Sequence, residues 1–272
     1  MTAANGNSEV MDPYSKGETR FTGAPHRKSM DEEDGEWTGV TRVSFGVLLL
    51  SAVVLLWGAL GLVIYWVMQY QGGFAWTEDP KKEFNLHPTL MIAGFIFFMG
   101  HALLVYRSCR CCKRIYNKLV HTIFHLCALP CIAVAVITVF DSHNLASPPI
   151  PNLYSLHSWL GLVTMGLFAL QFVVGFFSFL ILLCCEGPTA GFRAALVPIH
   201  GTMGLVTFML AIATAVTGLT EKAFFSLQGG RYQRGEEEGI VINSLGMVLV
   251  GLAVVLPLLI RHPSFSSRLG PV

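Results

Sequence analysis

The sequence predicts an all-α membrane protein built as a bundle of six transmembrane helices. Of its 272 residues, 53% are hydrophobic and only 13% are charged, a composition typical of membrane proteins. Six long apolar stretches contain no Asp, Glu, Lys or Arg. These stretches cover residues 43–68, 87–106, 119–140, 157–183, 197–219 and 241–260.

Each stretch is long enough to cross a hydrocarbon core of about 30 Å as a helix that rises about 1.5 Å per residue. The connecting loops are short, so we expect a single domain over residues 43–260. Residues 1–42 are polar and end in the acidic run 31–36, which predicts a disordered cytosolic tail. Residues 261–272 form a short C-terminal tail. The first stretch is too long for a signal peptide and should remain as a helix.

The distribution of Lys and Arg predicts the orientation. The loop 107–118 contains five basic residues, whereas the loop 141–156 contains none, so the first loop should face the cytosol. On this assignment the two tails and the even-numbered loops carry 13 of the 18 basic residues. Both termini are then cytosolic.

Four histidines lie near the starts of the second to fifth stretches. Because successive helices run in opposite directions, His87 and His157 should lie near the non-cytosolic face, and His121 and His200 near the cytosolic face. An imidazole at the edge of hydrocarbon is costly without a partner, so we interpret the four as two pairs within a four-helix core. Paired imidazoles on facing helices suit a b-type haem with both axial positions occupied, which favours electron transfer over oxygen activation.

The residues alone leave alternatives open. His101 follows His87 by nearly four whole turns, and His125 follows His121 by one turn, so either is a candidate for the inner site. A histidine-based proton or metal transporter is the alternative function. Such proteins usually place carboxylates within the membrane, and the six stretches contain none. Small residues that could leave space for a macrocycle are Gly94, Gly161, Gly166, Gly201 and Gly204.

The motifs resemble those of the cytochrome b561 family, six-helix ascorbate-dependent transmembrane oxidoreductases. Seven strings occur in the order of that family: FNLHPTLM, ALLVYR, KLVHTIFH, VFDSHN, LYSLHSWLGL, PIHGTMG and TGLTEKAFFSL. The resemblance runs from about Gly72 to Pro263. It implies two haems b, with His87 and His157 as ligands of the non-cytosolic haem and His121 and His200 as ligands of the cytosolic one. His101 and His125 are then not ligands.

The resemblance also implies substrate positions on both faces. Cytosolic ascorbate would contact Arg107, Arg114, Lys118 and Arg193, where Arg114 replaces a Lys found in relatives. The basic patch would also attract a small monoanion on physical grounds alone. The acceptor on the other face would contact His143, Asn144 and Tyr154, in a loop that is longer and richer in proline than in relatives.

We therefore predict electron transfer from cytosolic ascorbate through two bis-histidine haems b to an acceptor on the non-cytosolic side. Ferric iron chelate is the preferred acceptor, because the motifs resemble the duodenal and lysosomal ferric-reductase branch of the family, and monodehydroascorbate is the alternative. The expected location is the plasma membrane or an endosomal or lysosomal membrane. The expected partners are these small molecules and membrane lipid, a homodimer is implied by the resemblance, and no nucleic acid is expected.

Overall fold

The computed structural model describes residues 38–109 and 112–265. Within these residues every regular element is a helix, which confirms the all-α prediction. Six helical spans are long and apolar enough to cross a membrane, as predicted. They are Gly39–Tyr70, Pro80–Ser108, Arg114–Asn144, Leu156–Phe179, Glu186–Ser226 and Glu237–Arg261, and we number them span 1 to span 6 in that order. The predicted N-terminal tail lies outside the described residues as far as position 37.

Several helix ends differ from the predicted stretches. Span 1 begins at Gly39, where the Thr38 side chain accepts a hydrogen bond from the Thr41 amide at 3.2 Å, so residues 39–42 are helical rather than part of a tail. Span 4 ends at Phe179 instead of 183, and a short 3-10 helix, Ile181–Cys185, follows it. Most spans are longer than their apolar stretches. A helix can continue beyond the hydrocarbon core because its backbone groups form hydrogen bonds within the helix, and the membrane interface tolerates polar side chains.

The longer helices include acidic residues at their ends. Glu238 is buried at the start of span 6 and accepts hydrogen bonds from Trp66 Nε1, at 3.1 Å, and from Gln71 Nε2. These bonds connect the end of span 1 to the start of span 6. Glu83 is also buried, one turn before span 2 enters its apolar stretch. Carboxylates are therefore present at helix ends but not within the apolar stretches.

The spans pack as three antiparallel pairs. Span 1 packs against span 6, span 2 against span 3, and span 4 against span 5. Span 6 buries a leucine at nearly every turn: Leu245, Leu249, Leu252, Leu256 and Leu259. On the facing surface of span 1, Ala52 and Ala59 are fully buried, which permits a close approach of the two helices. Span 2 also contacts span 5, so the pairs 2/3 and 4/5 form the four-helix core that was predicted.

Span 2 is not a regular α-helix. The short helices Pro80–Glu83 and Leu86–Met91 lead into a π-helical segment, Ile92–Phe98, and the α-helix resumes over Met99–Ser108. A π-helical segment contains one more residue than the α-helix that it replaces, so the residues after it are rotated by about 100°. Residues of span 2 after the π-helical segment therefore point in a different direction from the one that an unbroken α-helix starting at His87 would give them.

We predict that the substitution Gly94→Val destabilises the contact between spans 2 and 3. A Cβ atom at Gly94 would lie 2.9 Å from Ile132 Cγ1 and 3.2 Å from the Ala128 carbonyl oxygen. Overpacking of this kind costs about 1–3 kcal/mol, so the melting temperature should fall by several degrees. The control is Gly58→Val in span 1, where a Cβ atom meets nothing within 4 Å. Equal melting temperatures in tryptophan-fluorescence scans of the two purified variants would contradict this packing.

Candidate functional site

The structure brings the four predicted histidines together as two pairs, one at each end of the bundle. The ring centres of His87 and His157 lie 6.0 Å apart, and those of His121 and His200 lie 6.3 Å apart. Two imidazoles bound to opposite sides of one metal, each through a nitrogen at about 2.0 Å, have ring centres about 6.2 Å apart. Both pairs therefore have the separation that a shared metal centre requires. We call the two ends of the bundle the His87 end and the His121 end.

Three of the four imidazoles donate a hydrogen bond from Nδ1 to a backbone carbonyl of the adjacent helix. The bonds run from His87 to Ala135 (3.0 Å), from His121 to Ala102 (2.9 Å) and from His157 to Thr214 (2.8 Å). Because a carbonyl only accepts, the proton of each neutral ring lies on Nδ1 and the lone pair lies on Nε2. A backbone partner of this kind commonly orients metal-binding histidines. Nδ1 of His200 is buried and has no hydrogen-bond partner within the part of the chain that the structure describes.

The bonds between spans 2 and 3 are reciprocal and account for the π-helical segment. The acceptor Ala135 lies 14 residues after His121 on span 3, whereas the acceptor Ala102 lies 15 residues after His87 on span 2. Thr214 similarly lies 14 residues after His200 on span 5. The extra residue in span 2 is the one that the π-helical segment adds. This segment therefore places the Ala102 carbonyl opposite His121.

The same rotation explains why His101 does not join either pair. Its ring lies 4.5 Å from the Phe97 ring and 6.4 Å from the Trp57 ring, and its Nδ1 donates to the Phe97 carbonyl oxygen at 2.7 Å. The prediction that His101 shares a face with His87 assumed an unbroken α-helix and is wrong for that reason.

His125 lies beside the pair at the His121 end, with its ring centre 4.6 Å from that of His121. Its buried Nδ1 has no hydrogen-bond partner among residues 38–109 and 112–265, so no described carbonyl orients it as the Ala102 carbonyl orients His121. On its other side the ring lies 5.6 Å from Phe168, which in turn lies 5.3 Å from Phe95. His125, Phe168 and Phe95 therefore form an aromatic column between the two histidine pairs.

Two glycines that the sequence analysis did not select lie against the histidines. A Cβ atom at Gly218 would lie 2.6 Å from Cε1 of His157, and one at Gly175 would lie 2.7 Å from Cε1 of His200. Each glycine follows the histidine of its own helix by 18 residues and contacts the histidine of the other helix, so the spacing from His to Gly is the same in spans 4 and 5. That repeated spacing is the signal that could have identified both.

Among the glycines that were selected, three occupy open positions. A Cβ atom at Gly166, Gly201 or Gly204 would meet nothing within 4 Å, as expected for space beside a flat ligand. At Gly161 it would make an ordinary contact of 3.6 Å with Thr214 Cγ2. Gly94 instead serves close helix packing.

At the His121 end, basic residues precede both histidines by the same distance. Arg114 lies seven residues before His121, and Arg193 lies seven residues before His200, which places each about two turns toward the end of the bundle. Lys118 lies three residues before His121 and shares that face of span 3. These three predicted ascorbate residues therefore lie on the histidine faces of their helices.

Arg107, the fourth predicted ascorbate residue, has structural partners in the last turn of span 6 and beyond it. Its guanidinium donates hydrogen bonds to the carbonyl oxygens of Phe265, at 2.8 Å, and Ile260. Arg261 also reaches from the end of span 6, where it donates to Thr202 Oγ1 at 2.7 Å. A role of Arg107 toward ascorbate remains a prediction.

At the His87 end, a cavity of about 850 Å³ extends from the histidine pair to the loop after span 3. His143 and Tyr154 line this cavity, whereas Asn144 does not. The side chains of His143 and Asn144 are joined through Asn152, whose Oδ1 lies 2.9 Å from His143 Nδ1 and whose Nδ2 donates to Asn144 Oδ1 at 3.0 Å. The sequence analysis did not select Asn152, because only the folded loop brings it next to His143.

Comparison with known proteins identifies the family. The model of the family "Eukaryotic cytochrome b561" matches residues 86–226, which is more than half of the chain and includes all four paired histidines. The chain belongs to the cytochrome b561 family. It is 38% identical over 226 residues to the plasma membrane ascorbate-dependent reductase CYBRD1 of Xenopus tropicalis, covering 82% of this chain and 77% of that protein.

Two further relatives support the same assignment. The transmembrane ascorbate-dependent reductase CYB561 of Homo sapiens is 38% identical over 207 residues, covering 76% of each chain. A putative transmembrane ascorbate-dependent reductase CYB561 homolog of Caenorhabditis elegans is 39% identical over 185 residues, covering 66% of this chain and 68% of that protein. The six spans and these membrane relatives make the chain an integral, multi-pass membrane protein.

Membership of the cytochrome b561 family implies that the chain binds haem b. The donor set fits this group, because neutral imidazoles with a free Nε2 are common axial ligands of haem iron. The spacing of each pair fits a metal held from both sides. Gly218 and Gly175, which have no side chain, leave room for the rings of His157 and His200.

We predict that Gly218→Ala lowers the haem content of the cytochrome b561 chain. The new methyl group would lie within 2.7 Å of two ring atoms of His157, so this imidazole must move from its present position. The control is Gly161→Ala, one turn after His157, where the contact would be ordinary. The ratio of haem to protein, measured on the purified variants, should fall for Gly218→Ala alone. An unchanged ratio in both variants would show that the position of His157 does not control haem binding.

Proposed function

We propose that this protein transfers electrons across a membrane from ascorbate to a ferric iron chelate, through two haems b held by four histidines. The observation that carries this proposal is the presence of two histidine pairs with metal-binding separations at opposite ends of one bundle. The family supports ascorbate as the electron donor, since its relatives are named ascorbate-dependent reductases. The protein is thus a transmembrane oxidoreductase.

The histidines divide into two sites with separate roles. His87 and His157 would hold one haem, and His121 and His200 would hold the other. When bound, haem b supplies reversible one-electron chemistry without an open coordination position. The two histidine levels are about 21 Å apart along span 3, because 14 residues separate His121 from the carbonyl that binds His87. The aromatic column of His125, Phe168 and Phe95 fills part of this interval.

The His121 end would receive ascorbate. Arg114, Lys118 and Arg193 supply positive charge there, and guanidinium and ammonium groups bind the oxygens of a monoanion through charge-assisted hydrogen bonds. By the distribution of Lys and Arg, this end faces the cytosol, and both termini lie on the same side. The other end would then face the exterior of the cell or the lumen of an endosome or lysosome.

The His87 end would deliver the electron. His143 lines the cavity with its imidazole, and this side chain suits a ferric chelate because imidazole is a good ligand for iron. Tyr154 lines the same cavity and is 58% exposed, so it is accessible to a ligand that enters from solvent.

We predict that the purified protein shows the spectrum of low-spin b-type haem and that ascorbate reduces it. Replacing His157 or His200 with Ala should remove one of two haems in each case, because each histidine belongs to a different pair. Haem content and reduced-minus-oxidised spectra provide the measurement. Replacing His101, which faces Phe97, is the matched control and should remove neither haem. A colourless native preparation, or a variant at position 157 or 200 that keeps both haems, contradicts the assignment.

The acceptor is tested by stopped-flow oxidation of the ascorbate-reduced protein. We expect ferric citrate to reoxidise the haem faster than monodehydroascorbate does. The variant His143→Ala should slow the reaction with ferric citrate by about tenfold, the effect of losing one favourable contact of about 1.4 kcal/mol. A native protein that reacts faster with monodehydroascorbate would instead favour regeneration of ascorbate as the function.

A further inference from the structure

Lys222 occupies an unusual position at the His87 end of the bundle. It lies near the end of span 5, is half-buried, and lines the same cavity as His87 and His157. Its ammonium nitrogen lies 4.5 Å from the centre of the Phe84 ring, a favourable cation–π geometry. In the described part of the chain, no carboxylate oxygen lies within 4.0 Å of this nitrogen. The charge is therefore partly withdrawn from water without a contact ion pair among the described residues. At longer range it is attracted by the buried carboxylate of Glu238, which already accepts hydrogen bonds from Trp66 and Gln71.

The two acidic side chains that line this cavity have other partners. Glu221 Oε2 accepts a hydrogen bond from Ser155 Oγ at 3.1 Å, and Asp79 forms an ion pair of 3.6 Å with Lys82. Lys81 adds a second ammonium group to the cavity wall. A half-buried ammonium group is stabilised by an anion, so the wall next to Lys222 favours a negatively charged ligand.

The Phe84 ring lies between Lys222 and two histidines, His87 of the pair and His143 in the last turn of span 3. Its ring centre lies 6.0 Å from that of His87 and 6.2 Å from that of His143, and the Phe84 and His143 rings are nearly parallel, at 9°. Lys222 is thus separated by a single aromatic ring from a proposed haem ligand and from a proposed acceptor contact. A ligand beside His143 would lie within reach of the positive field of Lys222.

We propose that Lys222, Phe84 and His143 form an anion-binding subsite that receives the electron acceptor as a negatively charged chelate. The ligand class is a ferric ion complexed by a small polycarboxylate, rather than a free ferric cation. This inference rests on the proposed function and adds the charge and chemical form of its substrate. Lys222 attracts the carboxylates, His143 contacts the chelate, and Phe84 fixes both side chains.

Reduction of the chelate is a one-electron step. One electron leaves the reduced protein and converts the ferric ion of the chelate to the ferrous ion, while the protein is oxidised by one electron. No bond to carbon forms or breaks, and no proton is required. Because the chelate carries its carboxylates before and after the step, Lys222 acts on binding and on the rate of encounter.

The test uses the full-length protein in lipid nanodiscs and the variant Lys222→Gln. After reduction by ascorbate, the protein is mixed with ferric citrate, an anion, or with hexaammineruthenium(III), a cation. We expect the second-order rate with ferric citrate to fall about tenfold, as for the loss of one charge-assisted contact, and the rate with the cation to stay equal or to rise. The conservative variant Lys222→Arg should retain most of the rate with ferric citrate.

A binding measurement without electron transfer separates this inference from the proposed function. Gallium(III) citrate has the charge and shape of the ferric complex but accepts no electron, and its dissociation constant should rise about tenfold in Lys222→Gln. The control is Arg234→Gln, a cation of the loop between spans 5 and 6 that pairs with Glu236 and does not line the cavity. It should change neither measurement.

The remaining outcomes are decisive. Equal losses of rate with the anionic and cationic acceptors, or a loss of haem from Lys222→Gln, would assign Lys222 to the cofactor or the fold and overturn the subsite. Unchanged binding of gallium citrate would also overturn it. If native protein binds gallium citrate through Lys222 but does not reduce ferric citrate, the subsite stands and the proposed acceptor is wrong.

Discussion

The hydrogen bond from a histidine Nδ1 to a backbone carbonyl of the neighbouring helix is the interaction on which the architecture depends. An imidazole inside an apolar bundle needs a partner for its N–H group, and a helical carbonyl can supply one because it has a second lone pair. His87 and His121 exchange such bonds between spans 2 and 3, and His157 makes one to span 5. Each bond fixes the ring orientation and leaves Nε2 available for a metal. Helix packing and the ligand geometry are therefore set by the same contacts.

This requirement accounts for the irregular form of span 2. When two helices each accept a hydrogen bond from the other's histidine, each acceptor carbonyl must lie opposite the histidine that it binds, at both ends of the bundle. The π-helical segment Ile92–Phe98 supplies the one-residue adjustment that places the Ala102 carbonyl opposite His121 and rotates His101 away. Spans 4 and 5 achieve their match differently, through Gly175 and Gly218, whose lack of a side chain makes room for the opposite imidazole.

The two ends of the bundle combine their histidines with different surroundings. At the His121 end, two arginines stand seven residues before the two histidines, a pattern suited to a small anion. At the His87 end, His143 in the last turn of span 3 and Asn152 in the loop that follows line a cavity that Lys222 also lines. The rings of His125, Phe168 and Phe95 lie between these ends. The arrangement suits the proposed passage of electrons from a donor at one end of the bundle to an acceptor at the other.

The sequence by itself determined the helical class, the six spans and the division of the histidines between the two ends of the bundle, and its resemblance to cytochrome b561 proteins favoured His121 and His200 over His101 and His125. It could do so because apolar length reports a membrane span directly, and because antiparallel order assigns the depth of each histidine near a helix start. Only the tertiary structure decided which side chains of each helix face the histidine pairs. The π-helical segment has no clear sequence signal, so the rotation that removes His101 could not be read from an ideal helical period. Gly175, Gly218, Phe84 and Lys222 gain their importance from neighbours distant in the chain. Such contacts depend on how helices pack, and local sequence does not specify that packing.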